Sequence, residues 1–345
     1  MTDIHSYLKN YDGPPVRLME VCGTHTAQIS RCGIVSMLSP SIHMISGPGC
    51  PVCVTVTAYI DRLVKLCMEP ENVVVSFGDM LRVKGSHKNL NDAKAEGGRV
   101  RMVYSPQDAL KMAVADPKHT YIFAAVGFET TAPVYTMLLE EAEASGVKNL
   151  KILTSLKTMP PVIDWICENQ GGVDGFLAPG HVSVITGSRA FAPLAEKYGI
   201  PFAVAGFEGE QILAAIYALV KKRGKGEVMN LYPSAVTEEG NVSAQRMVEK
   251  YFEPCDAAWR GMGTIPASGI ILRGEYARYD AGSAGLNEDC GANANCRCAE
   301  VLTGAISPLE CPLFGSCCNP QSPQGACMVS MEGSCYNYYV NTRKV

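Results

Sequence analysis

Short apolar runs alternate with helical patterns along the first two thirds of the chain, and this alternation most limits the possible folds. The runs that predict strands are Val16–Val21, Ile42–Ile45, Val73–Phe77, Val100–Tyr104, Tyr121–Val126, Lys151–Ser155, Gly175–Ala178 and Pro201–Ala205. The stretches that predict helices are Thr57–Met68, Leu90–Glu96, Pro106–Ala115, Pro133–Ala144, Pro161–Asn169, Ala190–Tyr198 and Gln211–Arg223. Strands that are apolar along their length and alternate with helices form mainly parallel sheets covered by helices. The sequence therefore predicts an α/β fold.

Cysteines divide the chain into a body and a tail. Of 15 cysteines in 345 residues, eight follow Asp289. We predict a first α/β lobe over 16–145, a second over 146–235, and a third region formed by 1–15 with 236–345. The net charge of -4 makes nucleic acid an unsuitable partner.

The N-terminus lacks the layout of a signal peptide, and no apolar run approaches the roughly 18 residues of a membrane span. We therefore expect a soluble cytoplasmic protein with no membrane partner. Structural disulfides are rare in that compartment, so the cysteine content points to metal binding or redox chemistry.

The segment 47–55, Gly-Pro-Gly-Cys-Pro-Val-Cys-Val-Thr, carries the most concentrated chemistry of the body. Cys50 and Cys53 fall in a turn between a predicted strand and a predicted helix. The unpaired N–H groups at a helix N-terminus lower a thiol's pKa, and Cys-x-x-Cys spacing lets two sulfurs form a disulfide or share a metal. The alternative is a structural turn with two buried cysteines.

One pattern occurs twice in the body: an apolar strand that ends in Gly-Phe-Glu before a helix. Glu129 closes the first copy and Glu208 the second. The repeat predicts two similar lobes, with both glutamates at the carboxyl ends of strands, where open α/β sheets bind ligands. The alternative is that each glutamate only complements a helix N-terminus, which stabilises by about 0.3–1 kcal/mol.

Two histidines are further candidates for the same crevice. His25 ends the turn Cys22-Gly-Thr-His25, which follows the first predicted strand, and His181 lies in Leu-Ala-Pro-Gly-His-Val-Ser over 177–183. Cys22 and His25 suit either a nucleophile with its base or two ligands of a soft or borderline metal. An incidental pairing is the alternative for Cys22 and His25.

The tail contains a series of spaced thiols: Cys311, Cys318, Cys327 and Cys335, separated by six, eight and seven residues. Four thiolates bind either a [4Fe–4S] cluster or zinc, and gaps wider than zinc knuckles favour the cluster. Cys317 is an alternative to Cys318 as a ligand. The additional thiols are Cys290, Cys296 and Cys298, of which Cys298 is a candidate redox neighbour.

Several motifs together resemble the HypD family, the maturation proteins of [NiFe]-hydrogenases, from about Val16 to Tyr339. The motifs are Cys22-Gly-Thr-His25, Gly47–Thr55, Gly78-Asp-Met-Leu-Arg-Val83, Ala93-Lys-Ala-Glu-Gly97, Val103-Tyr-Ser-Pro106, Val126-Gly-Phe-Glu-Thr-Thr131, Ala178-Pro-Gly-His-Val-Ser183 and Cys311-Pro-Leu-Phe-Gly315. The resemblance implies two α/β lobes around a cleft and a third region with a [4Fe–4S] cluster. It also implies a scaffold that assembles the Fe(CN)2CO group of the hydrogenase.

The resemblance also implies partners and residue roles. A HypC-type chaperone binds directly, a HypE-type protein supplies cyanide, and the hydrogenase large-subunit precursor receives the product indirectly. Cys22 would hold the iron together with a cysteine of the HypC-type partner, and Cys50 and Cys53 would form a redox-active dithiol that receives electrons from the tail. Two rival functions stay open: a stand-alone iron–sulfur disulfide reductase, and a zinc-stabilised interaction module.

Overall fold

The structure is a computed structural model, and it describes residues 3–290 and 293–342. Residues 1–2, 291–292 and 343–345, all within the predicted third region, lie outside the described residues. The predicted α/β class is confirmed, because the described residues contain two mainly parallel sheets with helices packed on them.

The strands run close to the positions that the apolar runs predict. They are β1 (Val16–Glu20), β2 (Ile42–Ser46), β3 (Asn72–Ser76), β4 (Val100–Met102), β5 (Thr120–Gly127), β6 (Leu150–Lys157), β7 (Gly175–Ala178), β8 (Phe202–Val204), β9 (Val228–Asn230), β10 (Phe252–Trp259) and β11 (Gly263–Leu272). The last three strands were not predicted, since their residues alternate between exposed and buried or lack a continuous apolar run.

The described residues form fourteen α-helices, of which seven match predicted stretches to within a few residues at each end and seven were not predicted. The helices are α1 (Ile4–Lys9), α2 (Gly23–Arg31), α3 (Thr57–Met68), α4 (Leu90–Ala95), α5 (Pro106–Ala115), α6 (Ala132–Ala144), α7 (Met159–Asn169), α8 (Gly180–Thr186), α9 (Ala192–Tyr198), α10 (Gly209–Lys221), α11 (Val242–Tyr251), α12 (Cys298–Leu302), α13 (Ala326–Val329) and α14 (Ser334–Thr342). The start of α5 follows from local chemistry. The Ser105 hydroxyl accepts from the N–H of Gln107, and Pro106 occupies the first position of the helix.

The first sheet has the order β2-β1-β7-β8-β9, and all its strand pairs are parallel. Helix α10 covers one face, where Ile212 and Ile216 pack with Leu18 in one apolar cluster. Helix α1 joins this cluster through Leu8, so this helix packs on the first sheet.

The second sheet has the order β10-β11-β6-β5-β3-β4. Strands β6, β5, β3 and β4 are parallel, and the hairpin of β10 and β11 adds to β6 in antiparallel pairing. The hairpin comes from the predicted third region, so residues 252–272 extend the second sheet rather than form a separate unit.

The two sheets do not follow the predicted boundaries 16–145 and 146–235. Strands β1 and β2 pair with β7 instead of β3, and β6 pairs with β5 instead of β7. Both sheets are therefore built from chain on either side of residue 146. Apolar periodicity marks a strand but not its partner, because a crossover connection can return to either sheet with the same local pattern.

One apolar cluster joins the two sheets to the cysteine-rich tail. It contains Met19 of β1, Phe128 after β5, Trp259 of β10, and Cys53, and it continues into Cys327. Within the described ranges, no helix combines the length and apolar character needed to cross a membrane. The shared core brings the motifs of the body next to the tail.

Candidate metal-assembly site

Cys22 and the segment 47–55 pack directly against each other. Cys22 is the N-cap residue of α2, at the carboxyl end of β1, and the N–H of Gly23 donates to the carbonyl of Gly49 at 2.9 Å. A Cβ at position 49 would lie 2.3 Å from the amide nitrogen of Cys22, so only glycine allows this approach. Two motifs that are far apart in sequence therefore form one site.

A disulfide joins Cys50 and Cys53 within a single tight turn. The N–H groups of Cys53 and Val54 both donate to the carbonyl of Cys50, at 3.1 and 3.2 Å, and the Thr55 hydroxyl donates to the carbonyl of Pro51. Helix α3 begins two residues later, at Thr57. Both half-cystines are buried, so the bond is enclosed by the core.

Two carboxyl groups that the sequence patterns did not identify lie near Cys22. Glu20, the last residue of β1, accepts from the N–H of Cys22 at 3.0 Å and from the Thr26 hydroxyl at 2.5 Å. Glu332, from the tail, accepts from the Thr24 hydroxyl at 3.4 Å. The sequence signal for Glu20 was its position as a charged residue inside the apolar run Val16–Val21. No local pattern connects Glu332 to this site.

Burial controls the protonation of these groups. It raises the pKa of Cys22 to about 12; the backbone N–H of His25 acts in the opposite direction, and the Glu20 charge adds to the rise. Burial also raises the pKa of Glu20 to about 7, against the hydrogen bond from Thr26. Cys22 is thus a neutral thiol at pH 7 unless a cation replaces its proton, the usual behaviour of a buried metal-binding cysteine.

The second Gly-Phe-Glu turn contacts both predicted histidines. Nε2 of the fully buried His25 lies 3.0 Å from the carbonyl of Gly206, so this nitrogen carries the proton. The Phe207 ring lies between the two imidazoles, with centroids 4.9 Å from His25 and 4.1 Å from His181. Burial lowers the pKa of His25 to about 4, so its ring is neutral at pH 7.

His25 also has an unused nitrogen. Its Nδ1 is buried and has no hydrogen-bond partner among the described residues. A buried lone pair of this kind can accept a proton or bind a metal. His181 is exposed at the start of α8, so the stack runs from the core to the surface.

The two predicted glutamates occupy different surroundings. Both follow parallel strands, Glu129 after β5 and Glu208 after β8, as predicted. Glu129 accepts from the N–H of Met159, the first residue of α7, at 2.7 Å, and burial raises its pKa to about 7. Glu208 is exposed at the N-cap of α10. The structure therefore favours the helix-capping alternative for both side chains.

Six cysteines of the tail line one cavity, which we call the cysteine cavity. Its sulfur-bearing residues are Cys296, Cys298, Cys311, Cys318, Cys327 and Cys335. All four predicted ligands are among them, and all four are buried. Cys317 and Cys290 are exposed and do not line it. Cys298 and Cys327 contact each other, and this hydrogen bond is the largest cause that raises the pKa of Cys298 well above its usual value.

The cysteine cavity fits an iron–sulfur cluster in its donors and in its hydrogen bonds. Backbone N–H groups point at two sulfurs: Gln324 at Cys318, 3.4 Å, and Cys335 at Cys327, 3.1 Å. Such bonds stabilise cluster thiolates and tune their potential. Within residues 3–290 and 293–342, no three His, Cys, Asp or Glu side chains converge as they would around a single metal ion. The thiols enclose a volume without meeting at one point.

The disulfide lies beside the cysteine cavity. Cys53 Sγ is 3.9 Å from the carbonyl oxygen of Ala326, and Ala326 directly precedes Cys327. On the other side of the same turn, Gly49 touches Cys22. The segment 47–55 therefore connects the Cys22 site, meaning Cys22 with Glu20, His25 and Glu332, to the cysteine cavity.

Comparison with known proteins finds a matching family model and similar chains. A family model described as "HypD: Hydrogenase formation hypA family" matches residues 1–342. The hydrogenase expression/formation protein HupD of Azotobacter chroococcum is 41% identical over 340 residues, which is 95% of this chain and 90% of that protein. The hydrogenase maturation factor HypD of Escherichia coli is 41% identical over 334 residues, 94% of this chain and 89% of that protein.

Proposed function

Because this chain belongs to the HypD family of hydrogenase maturation factors, we propose that it is the scaffold on which the Fe(CN)2CO group of a [NiFe]-hydrogenase is assembled. The observation that carries the proposal is the position of the segment 47–55. It touches Cys22 at one end through Gly49, and the cysteine cavity at the other through Cys53 and Ala326. An iron anchor, a redox-active pair and a cluster site thus follow one another in space.

In this proposal the iron that carries cyanide and carbon monoxide is cargo, and Cys22 is its anchor. A soft, low-spin iron binds thiolate well, and the cation would displace the proton that burial otherwise retains on Cys22. Glu20 positions the anchor by accepting from its backbone N–H. His25 has a free Nδ1 lone pair, which can approach the iron.

The cysteine cavity would hold a [4Fe–4S] cluster, which supplies electrons in single steps. Cys311, Cys318, Cys327 and Cys335 remain the proposed ligands. Cys296 is the alternative to Cys327 as the fourth ligand, because Cys327 already forms a hydrogen bond with Cys298. Reducing the Cys50–Cys53 disulfide takes two electrons and two protons and releases two thiols beside Cys22.

The proposed partners are a HypC-type chaperone that contributes a second cysteine to the iron, a HypE-type cyanide donor and, indirectly, the hydrogenase large-subunit precursor. We also propose that assembly takes place in the cytoplasm, because so many free thiols stay reduced there.

Anaerobic purification with metal analysis and infrared spectroscopy tests the scaffold. The chain is produced alone, with the HypC-type protein, and with both partner proteins. About four irons with the chain alone, and a further iron with cyanide and carbonyl bands when both partners are present, are the expected results. Cluster iron without those bands under every partner combination would contradict the scaffold.

A stand-alone disulfide reductase is the second candidate, since the disulfide abuts the cysteine cavity. The two functions differ in their need for Cys22. A reductase reduces its substrate at the wild-type rate after Cys22→Ala, whereas a scaffold retains its cluster iron and loses the additional iron.

A further inference from the structure

A second cavity opens beside the cysteine cavity and shares part of its wall. Cys296, Cys298 and Gly325 line both. The remaining lining includes three cationic side chains, Arg82, Lys84 and Arg260, so we call it the cation cavity.

The floor of the cation cavity also reaches the disulfide. Ala326 lines the cavity, and its carbonyl oxygen lies 3.9 Å from Cys53 Sγ. Arg260 lines it too, and its guanidinium donates twice to the carbonyl of Thr55, at 2.9 and 2.6 Å. A redox partner bound in the cation cavity is therefore one layer of residues away from the Cys50–Cys53 disulfide and from the thiols of the cysteine cavity.

The cations exceed the anions in this cavity. Asp289 is the carboxylate among its described lining residues, and it lies 3.8 Å from Arg260 while accepting from the N–H groups of Thr57 and Gly261. Arg82 is held by a bond to the carbonyl of Pro320, and Lys84 is exposed. Three positive charges face one negative charge, on a chain whose net charge is -4.

We propose that the cation cavity is the docking site of an acidic one-electron carrier protein of the small iron–sulfur type. The proposal rests on the scaffold function, which requires electrons and leaves their donor unidentified. Acidic side chains of the carrier would enter the cavity and pair with Arg82 and Lys84. Each encounter oxidises one carrier by one electron. Opening the Cys50–Cys53 bond consumes two electrons and two protons, so two encounters are needed.

Charge complementarity is the reason for choosing this partner. Electrostatic attraction between a local positive patch and an acidic protein speeds encounter and orients it, and this contribution falls steeply with salt. The chain's net charge of -4 gives an acidic carrier no general attraction, so productive encounters concentrate at the cation cavity.

Binding of an oxidised plant-type [2Fe–2S] ferredoxin to the anaerobically purified full chain tests the proposal without relying on turnover. Titration calorimetry at low ionic strength compares wild type, Lys84→Glu and the matched control Lys148→Glu. Lys148 is an exposed lysine just before β6, at the amino ends of the parallel strands, whereas Arg82 and Lys84 follow the carboxyl end of β3. The expected result is at least about tenfold weaker binding for Lys84→Glu, with no change for Lys148→Glu.

A second measurement separates docking from the cluster itself. Reduction of the bound iron by methyl viologen radical cation, followed by stopped-flow absorbance, should be at least as fast in Lys84→Glu as in wild type, whereas reduction by reduced ferredoxin should slow by about tenfold. Equal ferredoxin binding in wild type and Lys84→Glu, with iron content intact, would overturn the docking site and leave the scaffold function standing.

Two other outcomes are also decisive. Phosphate binding that depends on Lys84, without any ferredoxin binding, would show a small-anion site and overturn the proposal. A protein without iron would contradict the cluster, and salt-sensitive ferredoxin binding that depends on Lys84 would then still support the docking site.

Discussion

The Cys22 site and the cysteine cavity are built in opposite ways. The cavity takes its six thiols from one stretch, 296–335, in which short helices and loops curl around a single volume. The Cys22 site uses one thiol, and apart from the adjacent Glu20 its neighbours come from distant parts of the chain: Gly49, Gly206 and Glu332. A cofactor that remains in place suits a local wrap of ligands, whereas cargo that must arrive and leave suits a cleft between elements.

The largest expected effect concerns the cysteine cavity, and neighbouring residues supply its control. Cys318 is buried in the cavity wall and Cys317 is exposed. We expect Cys318→Ala to lose most of about four irons, while Cys317→Ala retains them. Iron analysis and visible absorbance of the anaerobic proteins give the comparison. Loss of iron in Cys317→Ala with retention in Cys318→Ala would reverse the assignment.

A smaller effect is expected where the Cys22 site meets the segment 47–55. Gly49→Ala places a Cβ 2.3 Å from the amide nitrogen of Cys22 and forces the two motifs apart. Overpacking of this kind costs about 1–3 kcal/mol of unfolding free energy, and the cluster iron should be retained. Denaturant unfolding together with iron analysis measures both.

Gly274→Ala is the matched control for Gly49→Ala. A Cβ at position 274 meets nothing within 4 Å, so stability should stay within about 0.5 kcal/mol of wild type. If both variants unfold alike, the close approach of Gly49 to Cys22 does not exist in solution.

An effect that vanishes at low pH contrasts the two Gly-Phe-Glu turns. Burial raises the pKa of Glu129 from 4.5 to about 7. Between these values the folded chain binds a proton that the unfolded chain has lost, so stability falls as pH rises through this window. Glu129→Gln should remove that dependence, worth at most about 3 kcal/mol at pH 8.

Glu208→Gln supplies the comparison, because Glu208 is exposed. Its effect on unfolding free energy should stay within about 0.5 kcal/mol at every pH. Urea unfolding of both variants from pH 5 to pH 8 tests the contrast. Parallel pH curves for wild type and Glu129→Gln would show that Glu129 is ionised and solvated in the folded protein.

The sequence predicts much of the secondary structure because its signals are local. Ser105 before Pro106 starts a helix, and a continuous apolar run such as Tyr121–Val126 forms a buried strand. Strand partners and sheet membership are decided by packing between distant segments, so the pairing of β1 with β7 was not predicted.

The same distinction between local signals and long-range contacts applies to the candidate sites. Four cavity cysteines were predicted from their number and spacing, and they share one cavity. Cys296 and Cys298 were treated as additional thiols because spacing alone does not show which side chains face inward. Glu332 was missed because its contact with Thr24 spans 308 residues of sequence.

The most direct test of the scaffold is the infrared spectrum of Cys22→Ala co-produced with the HypC-type and HypE-type partners. Cys32→Ala is the matched control, since Cys32 is a half-buried free thiol at the other end of α2. We predict that Cys22→Ala lacks the cyanide and carbonyl bands and retains its cluster iron, while Cys32→Ala shows both. Undiminished bands in Cys22→Ala would contradict the assignment of Cys22 as the iron anchor.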